Sequence, residues 1–252
     1  MIKIIIISKD ENSKSIEYIL KYFKDYEIYL IAPKAKESKY SETNLIKLND
    51  NDILDFNKLK EELKLERFGW YYQQFLKYQS ILTLDGEDFL IIDGDTIIKS
   101  SLALKNTLFT TDKPTVIGYS NLYSKLFPTH KLNGKSFITN QMLFNKNYLQ
   151  EILSNIEEAN NRTWIETLAN LVKNNENFMF SEYQVYAEYL LNTKKDIGVK
   201  SVSVFRRMDL INDSVDNALK KFDILAYEDH HKTGFLRLLR AKIYYMIGKS
   251  IG

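Results

Sequence analysis

The sequence contains no cysteine, which excludes disulfide bridges and thiolate-bound metals together. Nitrogen ligands are almost as scarce. With three histidines, His130, His230 and His231, any metal must be held chiefly by oxygen. Three prolines and nine glycines in 252 residues leave few chain breakers. The stretch "IIIISKDENSKS" near the N-terminus has no glycine, so it cannot form the Gly-rich phosphate loop usual in nucleotidyltransferases. Its isoleucine run is too short to span a membrane and lacks the small-residue cleavage site of a signal peptide. An excess of one charge is also missing: 35 Lys and Arg against 33 Asp and Glu give +2, too balanced to argue for nucleic acid. These absences favour a cytoplasmic protein.

What is present is ordinary for a globular chain, 44% hydrophobic and 27% charged. Unbroken β-branched runs such as residues 2–8 suit strands buried on both faces of a parallel sheet. Further strands are expected at "YEIYLIAP", "NLIKL", "DFLIID" and "KPTVIGY" (113–119). Helices are expected over 12–24, 55–65 and "GWYYQQFLKYQSIL". This alternation predicts an α/β fold, a mostly parallel mixed sheet flanked by helices. The second half is more helical, with apolar residues at three- and four-residue spacing in 145–160, 162–175 and 181–192, then a strand-like "GVKSVSVF". We expect one domain over 1–233, with halves 1–120 and 121–233, and a separate basic helix over 234–252.

The chemistry concentrates in "FLIIDGDT". Asp93 and Asp95 flank Gly94 where an apolar strand leaves the core. The carboxyl ends of sheet strands are where open α/β folds bind ligands. Residues i and i+2 of an extended chain point the same way, and Gly94 would let a ligand approach the backbone. Two close carboxylates repel unless a cation sits between them, and Mg²⁺ or Mn²⁺ suits oxygen ligands. A solvated turn has the same composition. In "RFGWYYQQFLKYQS", Trp70 and Tyr71 offer faces for stacking. Gln73 and Gln74 are adjacent and cannot share a helix face. In "SEYQVYAEYL", Ser181 is a helix cap and Glu182 an acid at the helix start, either a capping glutamate or a general base aimed out of the fold. The tail "GFLRLLRAKIYYMIGKSIG" puts Phe235, Leu238, Leu239 and Ile243 on one helical face among basic residues. It either packs on the body or lies in an anionic membrane interface.

Four segments, "RFGWYYQQFLKYQS", "FLIIDGDT", "SFITNQMLFNK" and "SEYQVYAEYL", together resemble bacterial sugar-nucleotide glycosyltransferases of the GT-A fold. Within these, the chain looks most like a polysaccharide-locus family known only as a domain of unknown function. The resemblance implies a nucleotide-diphosphate sugar donor, such as a UDP-sugar, and a saccharide or lipid-linked acceptor. It implies Mn²⁺ or Mg²⁺ on Asp93 and Asp95, with His231 or His230 as a further ligand. It assigns Trp70, Gln74, Lys77, Gly94, Thr139, Asn140, Gln141 and Lys232 to substrate binding, with Glu182 as the base of an inverting transfer. His130 stands in "FPTHKLNG", a loop, and could instead touch the acceptor. Such an enzyme would work at the inner face of the cell membrane. A nucleotidyltransferase acting on a sugar phosphate, or a non-catalytic sugar-binding module, are the alternatives.

Overall fold

The computed structural model of the chain describes residues 1–9, 14–33, 44–227 and 235–248. In chain order the elements are β1 (Ile2–Ile7), α1 (Lys14–Tyr22), β2 (Glu27–Ala32), β3 (Leu45–Asn49), α2 (Asp50–Ile53), α3 (Phe56–Leu63), α4 (Phe68–Thr83), β4 (Asp88–Asp93), β5 (Thr96–Ile98), β6 (Thr107–Thr110), α5 (Ile117–Leu126), β7 (Gln141–Asn145), α6 (Lys146–Asn160), α7 (Trp164–Asn174), α8 (Glu182–Thr193), β8 (Gly198–Ser201), β9 (Val204–Phe205), α9 (Val215–Lys221), β10 (Ile224–Ala226) and α10 (Phe235–Met246). The main sheet runs β3-β2-β1-β4-β7, parallel except for β7, which pairs antiparallel with β4. It is the expected mostly parallel mixed sheet flanked by helices.

The isoleucine run follows from burial on both faces. Ile5, Ile7, Phe89 and Ile91 face a core built with α4, α6, α7 and α8, while Ile4, Ile6, Leu90 and Ile92 face α1 and the smaller sheets. Along Ile4–Ile7 and Phe89–Ile92 both faces are covered, so the alternation of a half-exposed strand is lost. The second half is woven into the first: β7, β8 and β10 pair with β4, β6 and β5. The boundary read at residue 120 falls inside α5.

The strand expected over 113–119 needs correction. The strand in this region is β6, and residues from Ile117 onward are helical. Tyr119, Leu122 and Tyr123 are buried at helical spacing, and Gly118 lies close against Met179. Local β-branched content in "TVI" yields to that tertiary packing. "GVKSVSVF" is two short strands in different sheets rather than one.

The C-terminal helix packs on the body through Ala241 and Tyr245, not through Ile243, which is 42% exposed. The Tyr245 hydroxyl donates to Asp213 at 2.6 Å, and Lys221 covers its ring at 4.2 Å. Among the described residues no helix is long and apolar enough to cross a membrane.

Candidate functional site

The order of the main sheet places its switch point between β1 and β4: β2 and β3 lie to one side of β1, and β4 and β7 to the other. A crevice outside the carboxyl ends of the strands is expected there. A cleft of about 670 Å³ opens at that place, bordered by Ile7 to Lys9 after β1 and by Asp93 to Asp95 after β4. That volume is within the range of small-molecule sites.

The acidic stretch is a tight turn between β4 and β5, not an extended i, i+2 pair. Its backbone is fixed on every side. The Asp93 amide donates to the Asn140 carbonyl and the Gly94 amide to the Ile7 carbonyl, both at 3.0 Å. Ser15 Oγ donates to the Gly94 carbonyl at 2.5 Å, and the Tyr227 amide to the Asp95 carbonyl at 2.9 Å. The structure also gives a requirement for glycine that the sequence does not show. A Cβ at Gly94 would run into Ser8 and lie 2.7 Å from the Ile7 carbonyl. Gly94 admits the end of β1.

The cleft floor is a buried ionic network. Lys77 Nζ lies 2.5 Å from Asp93 Oδ1 and 2.5 Å from Glu182 Oε1. The Tyr183 hydroxyl donates to Asp93 Oδ1 at 2.8 Å, and Lys77 sits over the Tyr183 ring. In the amide orientation that satisfies both ends, Gln74 Nε2 donates to the Phe180 carbonyl at 2.7 Å and to Glu182 Oε2 at 2.8 Å. Tyr78 donates to the Glu182 carbonyl at 2.7 Å. Burial works against the Lys77 ammonium, but Asp93 and Glu182 outweigh it and raise its pKa above the usual lysine value. Burial pushes the Glu182 carboxyl up, and Lys77 opposes it. Two carboxylates thus share one ammonium, with Asp93 the more accessible at 26% side-chain exposure.

Glu182 does begin α8, with Ser181 as its cap. Yet it is 3% exposed and has both oxygens engaged, so it faces into the fold rather than out of it. The pull of Lys77 and Gln74 decides this; the sequence shows only a capping pattern. Trp70, Gln74, Lys77, Asp93, Gly94, Asp95 and Glu182 all border the cleft. Of Thr139, Asn140 and Gln141, Asn140 borders it, held in the left-handed region at φ 61°. Thr139 and Gln141 lie buried outside the lining, where the chain turns into β7, with Thr139 Oγ1 bonded to the Gln141 carbonyl. His130 is also elsewhere: its Nδ1 meets the Tyr123 hydroxyl at 2.7 Å, and its ring stacks on Phe127. His230, His231 and Lys232 lie outside the described residues.

Arg67, Tyr119 and Arg206 also border the cleft and had no signal in the sequence. They arrive from three distant elements, and only the fold brings them together. Tyr183 did have one, its place in "Ser-Glu-Tyr". Among the described residues no group of three or more His, Asp or Glu side chains is placed to hold a metal. The carboxylates of Asp93 and Asp95 nevertheless border one cleft, and hard oxygen donors are what Mg²⁺ and Mn²⁺ take. Asp93 Oδ1 is already committed to Lys77 and Tyr183, so a cation here would rely on Asp95, the second oxygen of Asp93 and oxygens from its ligand.

No curated protein matches the sequence. Among solved structures, the chain is similar to the galactosyltransferase LgtC in complex with donor and acceptor sugar analogues, with 12% identity over 98% of this chain and 95% of that one, at a TM-score of 0.47. It is similar to the glycosyltransferase GlyE of Streptococcus pneumoniae TIGR4, with 11% identity over 98% of this chain, at a TM-score of 0.46. The match spans 61% of GlyE's length. At the level of sequence, one family model matches residues 1–201, and the chain therefore belongs to that family, a family of unknown function (DUF6492).

Proposed function

We propose that the protein is a glycosyltransferase that takes a sugar from a nucleotide-diphosphate donor, such as a UDP-sugar, to a saccharide or lipid-linked acceptor. The observation that carries this reading is the Asp93-Gly94-Asp95 turn, its backbone fixed by three backbone hydrogen bonds and one from Ser15 at the switch-point cleft. Trp70, which borders the same cleft, offers a stacking face. Asp95, with the second oxygen of Asp93, would hold Mn²⁺ or Mg²⁺, which when bound neutralises charge on the donor diphosphate.

A general base must come within hydrogen-bond reach of the acceptor hydroxyl. Glu182 is buried beneath Lys77, and its position supports a different role. It holds Lys77 against Asp93 and so sets the orientation of the Asp93 carboxylate. Turnover in Glu182→Gln should then fall together with the affinity for metal and donor. A pure base would lose turnover alone, by roughly 10²-fold, with donor binding intact.

The direct test is thermal stabilisation by a panel of nucleotide sugars with and without Mn²⁺, since ligands that bind the folded state raise its stability. One nucleotide sugar should raise the melting temperature in a metal-dependent way. Asp95→Asn should abolish that response while leaving the unliganded melting temperature near wild type. A response unchanged in Asp95→Asn would remove the metal assignment, and no response to any nucleotide sugar would remove the transferase reading.

A further inference from the structure

The outer face of α10 is apolar and lies among cations. Met246 and Ile247 follow Ile243 by three and four residues, so the three side chains are neighbours on one helix face. The Ile247 amide donates to the Ile243 carbonyl at 3.1 Å, which keeps Ile247 on the helical path. All three side chains are exposed, Met246 at 69% and Ile247 at 56%. The opposite face is held down. The Tyr245 ring meets Phe205 edge-on at 5.3 Å and lies 5.8 Å from Phe222, and its hydroxyl is bonded to Asp213. The helix cannot roll to cover its outer face without exposing Ala241 and Tyr245, both buried. Single exposed apolar residues are normal, but a contiguous group beside charged residues marks an interaction surface.

Charge says what covers it. Lys242 is exposed next to Ile243, and Lys221, exposed on α9, lies over the Tyr245 ring. Asp213, an acid in contact with this helix, is already engaged by Tyr245 and by the Asn217 side-chain amide. After Asp229 the sequence holds five Lys and Arg and no Asp or Glu, whereas the chain up to that point has more acidic residues than basic ones. Positive charge is thus segregated to the segment that carries the apolar face. That combination suits the headgroup region of an anionic bilayer, where apolar side chains reach the acyl boundary and basic ones meet lipid phosphates. The face is also close to the cleft. α10 packs on Phe205, and the next residue, Arg206, borders the cleft.

We propose that the outer face of α10 docks the protein on an anionic phospholipid bilayer, with Ile243, Met246 and Ile247 entering the interface and Lys221 and Lys242 meeting lipid phosphates. Docking there would present the cleft to molecules anchored in the same bilayer. Calling such a molecule a lipid-linked acceptor rests on the glycosyltransferase reading; the docking itself does not.

The test is co-sedimentation of the protein with vesicles of phosphatidylcholine alone and of equal parts phosphatidylcholine and phosphatidylglycerol, at low and high salt. Wild type should partition into the mixed vesicles roughly tenfold or more above the neutral ones, and salt should reduce that preference. Ile243→Ser, Met246→Ser and Ile247→Ser combined should lower partitioning into the mixed vesicles roughly tenfold or more. Lys221→Gln with Lys242→Gln should lower it roughly fivefold per cation. If the triple variant fails to fold, Met246→Asp alone takes its place. Wild type that ignores the mixed vesicles, binding that neither salt nor the lysine changes weaken, or binding that survives loss of the apolar residues overturns the docking surface. A dimer in solution that the triple variant breaks, with no vesicle binding, also overturns it and makes a second copy the occupant. Nucleotide-sugar stabilisation is measured without vesicles, so vesicle binding can fail while the transferase reading stands, and the reverse.

Discussion

Lys77→Met should destabilise the protein by about 3–5 kcal/mol, the usual scale for leaving a buried charge without its partner. Lys77 is the cation between Asp93 and Glu182, at 2.5 Å from each, and Glu182 has almost no access to water. Methionine keeps most of the volume, so the loss is electrostatic, not a cavity effect. The pH dependence follows from the signs. In wild type the folded pKa of Lys77 is raised, so its contribution is present below the ordinary lysine value and is lost only as the pH rises through the folded one. In the variant the Lys77 ammonium no longer opposes the burial that already pushes Glu182 upward. A carboxyl with a raised folded pKa favours folding at low pH, and that stability is lost as the pH rises from the ordinary glutamate value through the folded one. Urea unfolding should therefore show a wider gap between wild type and variant near about pH 8 than near about pH 5. Adding Glu182→Gln should restore part of the loss, since the two positions are directly coupled. A gap that does not depend on pH, or a double variant no better than Lys77→Met, would show that the network is not the source.

Gly94→Ala should cost about 1–3 kcal/mol or more, as overpacking does, and should also weaken metal-dependent donor binding by roughly tenfold or more. The added methyl would meet Ser8 Oγ at 2.6 Å and the Ile7 carbonyl at 2.7 Å. One of these is backbone in the central strand, which cannot turn aside as a flexible side chain can. Relief would have to come from parting β1 and β4 at their carboxyl ends, where the Gly94 amide now donates to Ile7. That shift would carry Asp93 and Asp95 with it. Gly69→Ala is the control, because a Cβ there meets nothing within 4 Å and alanine is the better helix former. It should be neutral or slightly stabilising. A Gly94→Ala protein with wild-type melting temperature and donor response would mean that the turn tolerates the methyl and that the close approach does not position the carboxylates.

Much of the architecture was legible because it depends on local pattern. The Ile4–Ile7 and Phe89–Ile92 runs announce strands buried on both faces, and an acidic turn where such a strand stops marks the ligand end of a parallel sheet. Ser181 as a cap was legible for the same reason, since its oxygen serves an amide three residues on. The helix at Ile117 was not, because packing of Gly118 on Met179 and burial of Tyr119, Leu122 and Tyr123 override the strand-like "TVI" before it.

The site divides along the same line. Sequence by itself determined that Asp93 and Asp95 flank a glycine at a strand end and that Glu182 starts a helix. Only the tertiary structure decided that Glu182 and Asp93, from opposite halves of the chain, share the ammonium of Lys77. It alone decided that Gly94 is needed by the neighbouring strand, and that Arg67, Tyr119 and Arg206 border one cleft. These are contacts between residues distant in the chain. Their energies depend on distance and burial, and neither quantity exists in a sequence until the chain has folded.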